Sequence, residues 1–145
     1  MRIKILALVC VAIMGYKKSS SQIDINQSLE KYKISNSDSN LYILTSPAQF
    51  EKSYEVVIDS IHYFVTMSQD NLIKFIETSD SNFRTADGLS VGTKYSVISQ
   101  NKITSKLYDF KGWGKCLKLS SGWYAAFDFK KPLSPESTIK FFYKR

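Results

Sequence analysis

Beyond residue 40 the chain is dominated by short runs in which apolar and polar side chains alternate, the signature of strands with one buried face. Leu41–Leu44 is the first such run, and it is followed by Ser46-Pro47, where proline removes a backbone donor and interrupts pairing. Tyr54–Ile58 and Ile61–Met67 flank Asp59-Ser60, a spacing that predicts a β-hairpin even though the turn has no glycine. In the second of these strands Ile61, Tyr63, Val65 and Met67 share one side, while His62, Phe64 and Thr66 share the other. Leu72–Glu77 and Lys115–Leu119 add further strands. Trp123–Phe129 sets Trp123, Ala125, Phe127 and Phe129 against Tyr124, Ala126 and Asp128. Ile139, Phe141 and Tyr143 close the chain in the same rhythm, with Lys140 and Lys144 expected toward water.

Other stretches break the alternation. Leu29 and Tyr32 are spaced for a short helix within Gln27–Lys33, and the polar stretch Ser35–Asn40 reads as a loop. Thr93 is a good N-cap for a helix running to about Asn101, with Tyr95 and Ile98 on one face and Gly88 and Gly92 bracketing the lead-in. The expected class is therefore α+β: one curved, mainly antiparallel sheet of about five to eight strands with one or two short helices against it.

The N-terminus has a different grammar. Arg2 and Lys4 precede an uncharged run from Ile5 to Gly15, and Tyr16–Ser21 is polar. A basic start, an apolar middle and a small-residue boundary make a secretory signal. The run is shorter than the ~20 residues that span a bilayer. The expected organisation is a signal peptide and tether over 1–21 and a single mostly-β domain over 22–145, with cleavage after Gly15 or after Ser21. The expected address is periplasmic or extracellular, with no transmembrane span in the mature form. Gly15 followed by Lys17-Lys-Ser-Ser-Ser21 is similar to the leader of bacterial lipoproteins, but Tyr16 stands where their lipidated cysteine would be. Cys10 lies inside the apolar run behind Val9 and makes a poor lipidation site.

Charge narrows the partner class. The formal charge of +7 loses four units with Arg2, Lys4, Lys17 and Lys18, so the domain itself carries +3. That excess lacks the dense basic stripe of a nucleic-acid binder, and suits anionic envelope polymers or headgroups. Cys116 is the cysteine left after cleavage, so no internal disulfide can form, and its setting in an alternating run points to a buried sheet position. No zinc or phosphate-loop spacing is present, so neither a metal nor a cofactor is expected.

Catalytic chemistry has thin support. His62 is the lone histidine, mid-strand near Asp59, and the Gly-x-Ser-x-Gly nucleophile elbow is missing. Glu30, Glu51, Glu55, Glu77 and Glu136 form no recognisable acid–base pair, and Glu77, Asp80 and Asp87 lack the regular spacing of a calcium loop. A small periplasmic hydrolase using His62 is the alternative to a non-enzymatic reading, and would need His62 beside a nucleophile in a cleft.

Phe83, Thr85, Asp87, Gly88, Val91, Gly92 and Thr93 form a Phe-x-Thr-x-Asp-Gly-x-x-Val-Gly-Thr segment. It resembles a stretch found in small exported bacterial proteins, often lipoproteins of unknown role. The resemblance covers a short part of the chain and implies a family location rather than an activity. Lys94 follows its helix start. Elsewhere both tryptophans adjoin glycine: Trp113 between Gly112 and Gly114, and Trp123 after Gly122. Trp123 begins an alternating run and is expected in the core. Trp113 is the expected exposed aromatic, with Tyr108, Lys111 and Lys115 beside it for polar contacts. The preferred reading is thus an exported binding or accessory module. It would meet an envelope protein or an anionic or glycan surface polymer through Trp113, Lys111, Lys115, Tyr108, Asp87 and Lys94. Its oligomeric state is left open, as is pairing of a sheet edge with a partner.

Overall fold

The computed structural model describes residues 23–35 and 41–145. The leader, Cys10, Tyr16 and most of the expected Ser35–Asn40 loop lie outside the described residues. Nine strands follow in chain order: β1 (Tyr42–Ser46), β2 (Gln49–Lys52), β3 (Tyr54–Ile58), β4 (Ile61–Met67), β5 (Ile73–Thr78), β6 (Ser105–Phe110), β7 (Gly114–Leu119), β8 (Tyr124–Ala126) and β9 (Phe141–Lys144). Among the described residues the helical content is a 3-10 turn at Leu29–Lys31 and one short helix, α1 (Tyr95–Gln100). Among the described residues no helix is long and apolar enough to cross a membrane.

β3 to β9 form one seven-stranded sheet in the order β3-β4-β5-β9-β8-β7-β6, with every neighbouring pair antiparallel. The β3–β4 hairpin closes as expected, in the register Ile58↔Ile61. Asp59 and Ser60 both take positive φ, 50° and 64°, which supplies the primed-turn twist without glycine. The C-terminal strand lies at the centre of the sheet, joining the β3-β4-β5 half to the β8-β7-β6 half.

Because opposed residues of a ladder point the same way, the registers define two faces. On the core face Val56, Tyr63, Phe142, Ala125 and Leu117 lie in one row across the strands. This row is covered by the 79–104 connection, whose Phe83 ring sits 4.8 Å from Trp123 and 5.2 Å from Phe142. Leu89, Ile98 and Ile139 complete the cover, and Ile23 and Leu29 from the N-terminal segment join the same core. On the opposite face the row is Glu55, Phe64, Glu77, Tyr143, Tyr124, Lys118 and Lys106. The β1–β2 hairpin leans over part of it through Ile43 and a 2.7 Å ion pair from Lys74 to Glu51.

Several expectations are corrected. Lys144 is 8% exposed rather than turned to water: β9 is central, and its ammonium donates to Asp24 at 3.1 Å while lying over the Trp123 ring. The strand begun at Trp123 ends at Ala126, so Phe127 is buried but Phe129 is 62% exposed. Asp128 accepts the Lys130 backbone N–H there, a turn contact that ends the alternation. The N-cap of α1 is Lys94, not Thr93, and Thr93 uses its hydroxyl on the Ser90 backbone N–H instead. The helix over 27–33 contracts to a single 3-10 turn capped by Ser28.

Candidate functional site

The β6–β7 connection builds the most distinctive surface. Trp113 donates its backbone N–H to Phe110 at 2.8 Å, and Gly112 and Gly114 hold φ of 82° and 85°, which other residues resist. Gly114 has a second reason: a Cβ there would stand 2.7 Å from the Phe129 Cβ. The turn swings the indole back over the sheet. Trp113 is therefore half-buried rather than free, stacked 5.3 Å from Tyr143 and 6.3 Å from Phe75. Tyr124 also stacks on Tyr143, at 4.9 Å, and Tyr108 lies parallel to Phe110 at 5.6 Å.

Cations cover this bed of rings. The Arg145 guanidinium is 4.6 Å from the Phe110 centroid and also reaches Trp113, Tyr124 and Tyr143. Lys106 lies 5.1 Å over Tyr108, and Lys118 lies 5.5 Å over Tyr124. Lys106 and Lys118 are directly opposed across the β6–β7 ladder, where like charges repel. None of the three belongs to the ion pairs of the described residues. Each ring quadrupole offsets part of the repulsion, by about 0.5–1 kcal/mol per exposed contact. The charges are thus fixed in place and left available.

Beneath them lie three titratable groups whose proton affinity burial raises. The Cys116 thiol lies 3.2 Å from the Tyr143 hydroxyl, and burial raises its pKa, so it is no thiolate nucleophile at neutral pH. Burial and the contact with Cys116 likewise push the Tyr143 phenol up. Glu77, between Phe64 and Tyr143 in the row, is raised to about 7 by burial. Among the described residues no group of three His, Cys, Asp or Glu is placed to hold a metal.

The residues singled out from sequence are distributed over several places. Trp113 and Tyr108 belong to the ring face, and Lys111 is exposed in the turn beside them. Lys115 lines a groove of about 270 Å³ with Asp109, Phe129, Lys130 and Lys131. Asp87 lies at the far end of β7, accepting the Ser120 hydroxyl at 2.9 Å, and Lys94 is paired with Glu136 at 2.6 Å. Arg145, Lys106, Lys118, Tyr124 and Tyr143 carry the ring face without having been singled out. The two-residue spacing of Lys106 and Tyr108 in β6, and of Tyr143 and Arg145 at the end of the chain, is visible in the sequence, but which strands lie side by side is not.

His62 is exposed, its Nδ1 2.7 Å from Glu55 Oε1, while Ser35 donates to the other Glu55 oxygen at 3.0 Å. Those contacts hold the Glu55 carboxyl below its usual range. The order is serine, carboxylate, histidine. A nucleophilic serine needs the base itself within reach, and here the carboxylate stands between them. No protein-family profile, curated protein or solved structure matches this chain.

Proposed function

We propose that this chain is an exported, non-enzymatic binding module that recognises an anionic surface polymer of the cell envelope through the ring face. The observation that carries this reading is the Lys106–Lys118 pair, directly opposed, joined by Arg145, seated on aromatic rings and lacking a carboxylate partner among the described residues. A cross-strand pair of like charges costs stability, and a bound polyanion would relieve it. The ring faces are already occupied by these cations, which favours an anionic ligand over a neutral sugar stacked on an indole.

Export rests on the leader, and the Phe83–Thr93 segment with its likeness to small exported bacterial proteins supports it. Ile23 is buried and Asp24 is bonded to Lys144, so a mature chain must keep both. Cleavage after Gly15 or after Ser21 does so. Mass spectrometry of the protein from native cells is expected to give one of those N-termini, and a chain beginning at Met1 would remove the basis for export. For the site, binding of the Arg145→Ala/Lys118→Ala variant to polyphosphate and to poly-glutamate is compared with the wild type. Loss of about tenfold in affinity, with binding that weakens as salt rises, is expected. Unchanged affinity overturns the assignment, and preference for poly-glutamate alone redirects it to an acidic protein segment.

A further inference from the structure

The two edges of the seven-stranded sheet are treated differently. Beside β3, Ile34 bridges Val56 and Ser35 donates its N–H to the Glu55 carbonyl at 3.0 Å, so the N-terminal segment covers that edge. At the other edge β6 has β7 on one side and, among the described residues, no strand on the other. Phe110 opposes Gly114 and accepts the Trp113 N–H in the turn. Hydrogen bonding alternates along a strand, so Lys106, Tyr108 and Phe110 are the positions bonded within the hairpin. The N–H and C=O groups of Ser105, Leu107 and Asp109 therefore point out of the sheet. Leu107 is 44% exposed there, apolar and at the middle of the strand.

We propose that β6 pairs antiparallel with β6 of a second copy, about a two-fold axis through Leu107 and normal to the sheet. This goes beyond the anion-binding reading and does not rest on it. Such an axis keeps each face continuous, which restricts the register to residues of matching side. Centred on Leu107, the register opposes Leu107 to the second copy's Leu107, Lys106 to the second copy's Tyr108, and Ser105 to the second copy's Asp109. Each pairing is complementary: apolar on apolar, ammonium on ring, hydroxyl on carboxylate. The neighbouring allowed register, centred on Tyr108, sets Leu107 against Asp109 and buries a charge on an apolar side chain. An edge lysine usually deters strand addition. In the Leu107 register Lys106 meets a tyrosine instead, and its charge repels only the register centred on Lys106 itself, while the Leu107–Asp109 mismatch disfavours the one centred on Tyr108. With β3 covered, the sheet has this edge to offer and the pairing closes as a dimer rather than a fibre.

The test is sedimentation of the full chain carrying Cys10→Ser, from about 10 µM to about 1 mM, the range in which so small a contact associates. A concentration-dependent dimer is expected, weakened about tenfold or more by Leu107→Lys, which places like charges at the axis. Thermal melting checks that this edge variant stays folded. In parallel, Leu107→Cys and Ser105→Cys are oxidised. An opposed Cα pair about 5.5 Å apart allows a disulfide, whereas the Ser105 positions stand about 14 Å apart. Leu107→Cys is expected to form a covalent dimer and Ser105→Cys to remain monomeric. A monomer throughout the range, a dimer indifferent to Leu107→Lys, or equal cross-linking at both positions overturns the proposal.

Discussion

Phe142 and Tyr143 are neighbours in β9, both almost completely buried, yet they belong to different kinds of surface. Phe142 points into the core face, where Phe83 meets it at a 59° tilt and aliphatic side chains fill the gaps. Tyr143 points to the opposite face, where Phe75, Trp113 and Tyr124 stack on it nearly parallel and Arg145 lies over the bed. The first arrangement maximises area removed from water in irregular, close packing. The second leaves ring edges and cations at the surface. One strand, at the middle of the sheet, thus serves the fold with one side chain and a surface with the next.

The difference sets the order of effects. Phe142→Ala is expected to cost about 3–5 kcal/mol in urea unfolding, because the cavity lies under Phe83 and Trp123. Trp113→Ala on the ring face is expected to cost about 1–2 kcal/mol, since the indole is half-exposed and covers an already stacked surface. Equal costs would make the ring face a second core and erase the comparison.

Glu77 gives the next effect. Burial lifts its carboxyl from 4.5 to about 7, so the folded state holds the proton more tightly than the unfolded chain. Its favourable contribution is complete below pH 4.5 and is lost as pH rises to about 7, a change of about 3 kcal/mol. Glu55 and Glu51 act with the opposite sign. Both are lowered in the fold, Glu55 by His62 and Ser35, and Glu51 by Lys74 acting against burial. The stability they add is present above the usual carboxylate range and falls on acidification. Urea midpoints measured against pH are therefore expected to drop between pH 4.5 and 7 in the wild type relative to Glu77→Gln. Parallel curves would show that Glu77 is not desolvated. The smallest effect is expected at Arg145→Ala, within about 0.5 kcal/mol in the same assay, because an exposed cation over rings contributes little to folding. A larger loss would make Arg145 a structural clamp.

What was legible in the sequence follows the same division. The β3–β4 hairpin could be read because its pattern is local: alternation on both sides of Asp59-Ser60 fixes partner and register together. The buried positions of Trp123, in the core, and of Cys116, beneath the ring face, could be read for the same reason. Lys144 could not, because the alternation rule assumes a solvated face, and β9 is flanked by strands with Asp24 reaching it from the start of the domain. Leu41–Leu44 marks β1, but β2 and the edge strand β6 do not stand out as strands, since Ser105–Phe110 carries polar and apolar residues on both sides and little burial to mark it. The ring face was half visible. Trp113 and Tyr108 stood out as aromatics near lysines, but the cations that matter come from β6, β7 and the C-terminus, which only the strand order brings together.

The protein carries a natural reporter for each face: Trp123 in the core and Trp113 on the rings. Two-dimensional nitrogen–proton spectra of the chain titrated with polyphosphate would follow both indole N–H signals at once. The Trp113 signal is expected to move and saturate while the Trp123 signal stays in place. A shift confined to Trp123, or no shift in either while the polymer is bound, would contradict this expectation.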